Sequence, residues 1–356
     1  MRVLPSGRWF NICVKVNKLL KRRQTKMRDA TITISPFIHD GSSTKRIMLD
    51  VIIALIPALI AATIFFGPRV LLLTTVTIFA AILFDWGFRL IVKRDPSVII
   101  DPAVAVTALI MVLGIPSNTP LWLSVLAVGI AVVIVKNILK RLFGGVGRSI
   151  FNPALIGHIV VTGLAVYGAG YPVAMSWLES SNFFDIDTIT AATPLQLLVD
   201  GDTLPSLREL FLGIHGGTMG ETSILALLLG AGYLIFRRVI SPVIPLAYIG
   251  ATLLIVTLAG QDPLIHLLSG SLVFVAIFMA TDYATSPINL KGKIIFGVGC
   301  GIITAMIRLF GSTTEGVSIA LLVMNLLVPF IDRLTLQKAF GEKKDKVLIN
   351  QSHTIR

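Results

Sequence analysis

Residues 48–66 read Met-Leu-Asp-Val-Ile-Ile-Ala-Leu-Ile-Pro-Ala-Leu-Ile-Ala-Ala-Thr-Ile-Phe-Phe, with Asp50 as the one charge. About 20 predominantly apolar residues span a bilayer as a helix, because lipid offers no partner to a backbone N–H or C=O and a helix satisfies both internally. Further apolar segments follow at roughly 70–92, 98–116, 121–138, 150–168, 222–239, 241–260, 263–281, 293–311 and 316–334. The 356 residues are 54% hydrophobic and only 14% charged, against roughly 25% charged in an ordinary soluble domain. The expected fold is an all-α polytopic membrane protein with about ten transmembrane helices. The same composition excludes soluble enzymes, secreted disulfide scaffolds and nucleic-acid modules, so the net charge of +12 does not point to a nucleic-acid partner.

In a membrane protein the placement of Lys and Arg matters more than their sum. With the N-terminus inside, 28 of the 31 basic residues fall on the inner side, leaving Arg69, Arg208 and Arg308 outside. Both termini are therefore expected in the cytoplasm. The longest connection, 169–221, follows five crossings and lies outside; it is acidic, with Asp187, Asp200, Asp202, Glu209 and Glu221 among its residues. An odd number of helices on either side forces the two halves into opposite orientations, the arrangement of inverted repeats. The expected organisation is a basic cytoplasmic segment 1–46, a first five-helix repeat 47–168, the extracytoplasmic loop 169–221, a second five-helix repeat 222–335 and a basic cytoplasmic tail 336–356. Local similarity supports the repeat: the third segment opens on Asp101-Pro102 and the eighth on Asp262-Pro263. Residues 1–46 read as an interfacial amphipathic segment around Trp9 and Phe10, as a basic tail, or as a stretch preceding a start at Met27.

Cys13 and Cys300 stand far apart, with no CxxC, and the five histidines form no HExxH or CxxCH. This chain alone supplies neither a four-cysteine iron–sulfur site nor a thiolate zinc site, and no metal site is read. Intramembrane charge is costly, but Asp50 and Arg46 read as an interfacial pair, Asp85 and Arg89 as an i,i+4 pair, and Asp101 as a cap ahead of Pro102. His158 and His266 read as packing residues.

The outer loop holds Asp187-Thr188-Ile189-Thr190-Ala191-Ala192-Thr193-Pro194-Leu195-Gln196. Thr193 reads as an N-cap, Pro194 as the first helical residue and Gln196 as the reciprocal member of a capping box. Small residues before Thr193 leave its hydroxyl accessible, and a helix N-terminus favours a phosphoryl group. A phosphodiester on that hydroxyl is chemically reasonable. Asn152 with Pro153 reads as a helix start; Asp282, Thr285 and Ser286 as caps at a break; Thr222 or Ser223 as a cap after Gly216-Gly217.

The stretch D-x-x-T-A-A-T-P-L at 187–195 resembles the flavinylation motif, usually D-x-x-[ST]-G-A-T, through whose final Thr a flavin transferase attaches FMN. G-G-x-G-x-x-x-F-N-P-A at 144–154, G-G-x-x-G-E-T-S at 216–223 and A-T-D-Y-A-T-S-P at 280–287 accompany it in order. Together, over residues 30–335, they resemble the D subunits of the Rnf electron transport complex, related to the B subunit of the sodium-pumping NADH:quinone reductase. Ala191 departs from the usual Gly, adding a methyl and restricting the backbone. The resemblance implies covalent FMN on Thr193, with Asp187, Thr190, Ala191 and Ala192 completing the motif, and a noncovalent riboflavin within the bundle. Asn152, Glu221, Thr222, Ser223, Asp282, Thr285 and Ser286 are the expected flavin neighbourhood.

It further implies a bacterial inner-membrane subunit relaying electrons between ferredoxin and NAD, coupled to sodium or proton export. Its partners would be a flavinylated G-type subunit, iron–sulfur A- and E-type subunits and an NAD-reacting C-type subunit. The redox chemistry belongs to the flavin, so no side chain is assigned as acid or base. The rival readings are a quinone-reductase B-type subunit and a solute transporter or channel with an inverted repeat.

Overall fold

A computed structural model of the chain describes residues 44–92, 101–139, 149–165, 171–172, 190–311 and 316–335. Residues 1–43 of the basic N-terminal segment, the C-terminal tail, Asp187 and residues 144–148 of the first glycine-rich motif lie outside the described residues. The first helices are α1 (Thr44–Phe66), α2 (Arg69–Ile91) and α3 (Pro102–Leu113). Helix α4 (Leu121–Gly129) runs on as a π-helical stretch, Ile130–Leu139, and α5 covers Pro153–Ala165. A two-residue antiparallel pair, β1 (Tyr171–Pro172) with β2 (Thr190–Ala191), sits in the long connection, in the register Tyr171 opposite Ala191. Two short helices follow, α6 (Pro194–Asp200) and α7 (Leu207–Leu212). The second half consists of α8 (Ile224–Phe236), α9 (Val243–Leu258), α10 (Pro263–Leu268), α11 (Leu272–Phe274, extended by a π-helical Val275–Met279), α12 (Leu290–Phe310) and α13 (Val317–Thr335).

Five of these segments, α1, α2, α4 with its extension, α12 and α13, are long and apolar enough to cross a membrane; α3, α5, α8 and α9 are shorter apolar helices. Large apolar side chains lie on the outside, among them Phe79, Trp122, Leu254 and Phe330, each more than half exposed. That surface suits lipid, and it would be an aggregation hazard in water. The chain is a multi-pass, helical membrane protein.

Two of the expected spans are interrupted. The third keeps helical geometry only over the 12 residues of α3, about 18 Å, because Pro116 disfavours helix at Ile115. The eighth, expected to be continuous from 263 to 281, breaks at Ser269-Gly270-Ser271, where Gly270 adopts φ +70°. A buried arginine takes up the carbonyls at each interruption. Arg69 donates from Nε to the Ser117 carbonyl at 2.8 Å and from Nη2 to that of Thr119 at 3.3 Å. Arg308 donates to the carbonyls of His266 at 2.7 Å and Ser269 at 3.3 Å. The charge count places both arginines simply outside; the structure buries them and uses their N–H groups on the chain itself. The two Asp-Pro starts are built alike: Asp101 accepts from the Ala103 N–H and Asp262 from that of Leu264.

Other membrane charges are paired across helices. Asp85 and Arg89 form the expected i,i+4 pair at 2.7 Å, and Lys136 ties both Asp85 and Asp101 into the same network. Asp50 also takes partners from another helix. It accepts from the Tyr233 hydroxyl at 2.9 Å and meets Arg237 at 3.3 Å, both belonging to the α8 region. Helix α1 lies against α8, so tertiary packing supplies partners that local spacing does not reveal.

Close helix contact rests on small residues. Gly297 and Gly301, four apart on α12, face Ala247, Ala251 and the carbonyls of Ile244 and Tyr248 on α9. This is the spacing that lets membrane helices approach backbone to backbone. A Cβ at Gly301 would lie 2.6 Å from that of Ala251. Gly301→Val is expected to force α9 and α12 apart and destabilise the bundle by about 1–3 kcal/mol. A lower unfolding temperature of the detergent-solubilised protein checks this.

Candidate functional site

The expected site residues occupy three places. The first is a cavity reached by the two motifs that carry Asn152 and Asp282. Asn152 starts α5, its Oδ1 accepting from the Ala154 and Leu155 N–H groups. Its amide nitrogen donates 3.2 Å to the carbonyl of Met279, 127 positions later. The Ser149 N–H donates to the Ala284 carbonyl at 3.0 Å, a second tie between the same segments. Asp282 caps its own turn through the Ala284 N–H and the Thr285 hydroxyl, and Thr285 and Ser286 are buried behind it.

Asn152, Thr281, Asp282, Ser149, Thr107 and Lys136 supply the cavity's polar lining, and Val106, Ile110, Ile277 and Phe278 contribute to its apolar wall. This mixture of an apolar wall and a few convergent polar groups is the kind of lining that orients a small organic ligand. Tyr283 stands at the rim. Partial burial, with Asp282 and Asp101 nearby, pushes its hydroxyl above the ordinary phenol value, so it stays a neutral donor. Sequence reasoning missed Lys136 and Thr107 as lining residues. A lysine within the apolar segment 121–138 was the available signal, because charge inside a span is costly.

The second place is Thr193. It caps α6 as expected, its Oγ1 accepting from the Gln196 N–H at 3.3 Å. The reciprocal half of the capping box does not form: the Gln196 side chain donates instead to Asp200, at 3.0 and 3.1 Å. Nor is the side chain open to solvent, for Thr193 is only 4% exposed. The first turn of α6 packs inward, and Leu195 reaches the break at Gly270, where a Cβ would also meet the Arg308 guanidinium. Thr190 and Ala191 form β2, and Ala192 is half-buried.

The third place is the loop before α8. Ser223, rather than Thr222, is the cap, accepting from the Ala226 N–H. Glu221 accepts from the Thr218 N–H at 3.0 Å. Gly217 lies among Glu221, Thr222 and His215, where a Cβ would sit 3.2 Å from the Thr222 methyl. The loop docks on the end of α3, with the Gly220 N–H donating to the Leu113 carbonyl and that of Met219 to Ile115. Burial holds His215 below the ordinary imidazole value, opposed by its bond to the Gly216 carbonyl. His158 and His266 are packed as expected, against Ser318 and Gln261.

Residues 31–341 match the NQR2, RnfD, RnfE family. Similar proteins include the D subunit of the Na(+)-translocating ferredoxin:NAD(+) oxidoreductase complex of Acetobacterium woodii, 39% identical over 89% of this chain and 96% of that protein. The D subunit of the proton-translocating ferredoxin:NAD(+) oxidoreductase complex of Clostridium ljungdahlii is 34% identical over 90% of this chain and 99% of its own length. The D subunit of the ion-translocating oxidoreductase complex of Sodalis glossinidius is 33% identical over 88% and 99%.

The cap geometry gives a direct expectation. Thr193→Val removes the acceptor for the Gln196 N–H and costs about 1 kcal/mol locally, whereas Gln196→Ala spares the cap. Faster amide hydrogen exchange over residues 194–200 in the first variant alone checks this.

Proposed function

The chain belongs to the NQR2, RnfD, RnfE family, and from that premise we propose that it is the D-type membrane subunit of an ion-translocating ferredoxin:NAD oxidoreductase complex, carrying covalent FMN on Thr193 and a noncovalent riboflavin in the inner cavity. The observation that carries the reading is the course of the broken eighth span. Its break at Gly270 lies near the first turn of α6, where a Cβ added at Gly270 would sit 3.9 Å from Leu195, and its far end, Ile277 to Asp282, lines the cavity. Gly270 and Thr281 are eleven positions apart, at most about 16 Å along a helix. One element therefore joins the two proposed flavin positions.

Flavin bound at these positions supplies the one- and two-electron chemistry. The chain's own residues hold and orient it. At the outer position Thr193 offers an oxygen to a phosphoryl group at the start of α6, and the helix dipole favours the negative charge there. Because the packed threonine is buried, a flavin transferase reaches it only before α6 docks or when that turn opens. At the inner position Asn152, Thr281 and Asp282 would face the polar edge of a ring system, and Phe278 and Ile277 its apolar body. Glu221, Thr222 and Ser223 brace the loop on the outer side of α3.

The distribution of basic residues supports an orientation with both termini in the cytoplasm and Thr193 beyond the opposite face. The partners in this reading are the G-, A-, E- and C-type subunits and the flavin transferase, in a bacterial inner membrane.

In-gel fluorescence of the denatured subunit tests the outer position, since a covalent flavin survives denaturation. Thr193→Ala is expected to abolish the signal while the subunit still inserts, and Thr193→Ser to keep most of it. Fluorescence retained in Thr193→Ala would place the bond elsewhere, Thr190 included. For the inner position, Asn152→Leu with Asp282→Leu is expected to lose the flavin released on mild denaturation and to keep the covalent band. Electron exchange of the purified complex with ferredoxin rather than with a quinone separates this subunit from the quinone-reductase type.

A further inference from the structure

Helix α13 carries polar residues on one buried stripe of an otherwise apolar span. Ser318, Asn325 and Asp332 recur every seven residues, which returns them to nearly the same face, about 10 Å apart along the axis. At one end the Ser318 hydroxyl lies 3.0 Å from Nδ1 of His158 on α5. At the other, Asp332 accepts from the Ile288 N–H at 3.3 Å, beside the segment that follows Thr285 and Ser286. Between them Asn325 is 1% exposed, and neither its amide oxygen nor its amide nitrogen has a hydrogen-bond partner among the described residues.

The same residue is deprived a second time. Pro329, four positions on, lies inside α13 and has no N–H to give to the Asn325 carbonyl. A side-chain amide with no partner among the described residues and a main-chain carbonyl without its i+4 donor thus belong to one residue at mid-span. Buried polar groups in this condition are costly unless water or an ion completes them, and freed carbonyls within a span suit cations. The set of groups is neutral oxygens at the centre and one carboxylate at the end. That chemistry recognises a small monovalent cation moving with water, not an anion or an apolar solute.

We propose that the buried face of α13 is a hydrated passage for a monovalent cation, sodium or hydronium, with Asn325 as its mid-membrane station. This rests on the reading of the chain as an ion-translocating subunit. It adds a route, whose Asp332 end adjoins the segment flanking the inner cavity, so that movement of charge and of electrons share a boundary at residues 282–288.

Two measurements on the intact complex in membrane vesicles test it. In the first, Asn325→Cys is treated with a permanently charged methanethiosulfonate, and peptide mass mapping reads the label. Modification is expected at position 325 and not at Ala320→Cys, which is equally buried on another face of the helix. In the second, Asn325→Leu is assayed for ferredoxin-driven uptake of radioactive sodium and, with a pH-sensitive dye, of protons. Uptake per electron transferred is expected to be lost while covalent flavin fluorescence is unchanged, and the cation lost identifies the one carried. An unlabelled Asn325→Cys together with normal uptake in Asn325→Leu would overturn the passage. Labelling at 325 in a complex that moves neither cation would leave the wet path standing and overturn the ion-pump reading.

Discussion

A carbonyl buried where a helix stops costs several kcal/mol if left bare. This chain buries such stops twice, after α3 and at Ser269–Ser271, and each time a buried guanidinium takes nearby carbonyls: Arg69 those of Ser117 and Thr119, Arg308 those of His266 and Ser269. The planar fork suits the task, since one Arg reaches two carbonyls at once. The positive charge also complements the negative end of each half-helix. Without these ties the interruptions would be replaced by continuous helix or would open to water, and the cavity lined by α3 and α11 would have no walls.

The interruptions explain why residues far apart in sequence become neighbours. A continuous eighth span would carry its side chains past the bundle on one face. Broken, it lets α10 serve the loop helices α6 and α7, while α11 and its extension close the cavity against α3 and α5. The Asn152 amide then reaches the Met279 carbonyl, and the segments bearing two separate motifs become one wall. Thr193 occupies the other end of the same broken element.

Much of this was legible in the sequence. Hydropathy located the spans, and the Asp-Pro pairs located two helix starts, because a carboxylate followed by proline has few other uses ahead of an apolar run. Thr193, Asn152, Ser223 and Asp282 were readable as caps from local chemistry alone. The interruption at Gly270 was not, since a single Gly between Ser residues is tolerated in many membrane helices and only its positive φ marks the break. Tyr233 as a partner of Asp50 was hidden for a different reason: it lies 183 positions away, beyond the reach of any local spacing. The burial of Thr193 likewise comes from packing of which the small residues at 190–192 give no sign.

The π-helical stretches have a consequence for how this chain tolerates change in length. Each wider turn holds an extra residue relative to an α-helix, so everything beyond it is rotated. In the fourth span that rotation sets Lys136 between Asp85 and Asp101; in the eighth it precedes Thr281 and Asp282. Deleting one residue ahead of Lys136 in Ile130–Leu139 would change the direction in which the lysine is presented, leaving Arg89 as the remaining cation between Asp85 and Asp101. Insertions and deletions here are therefore not silent in the way they are in a uniform membrane helix: the residue count of these two spans is itself part of the electrostatics.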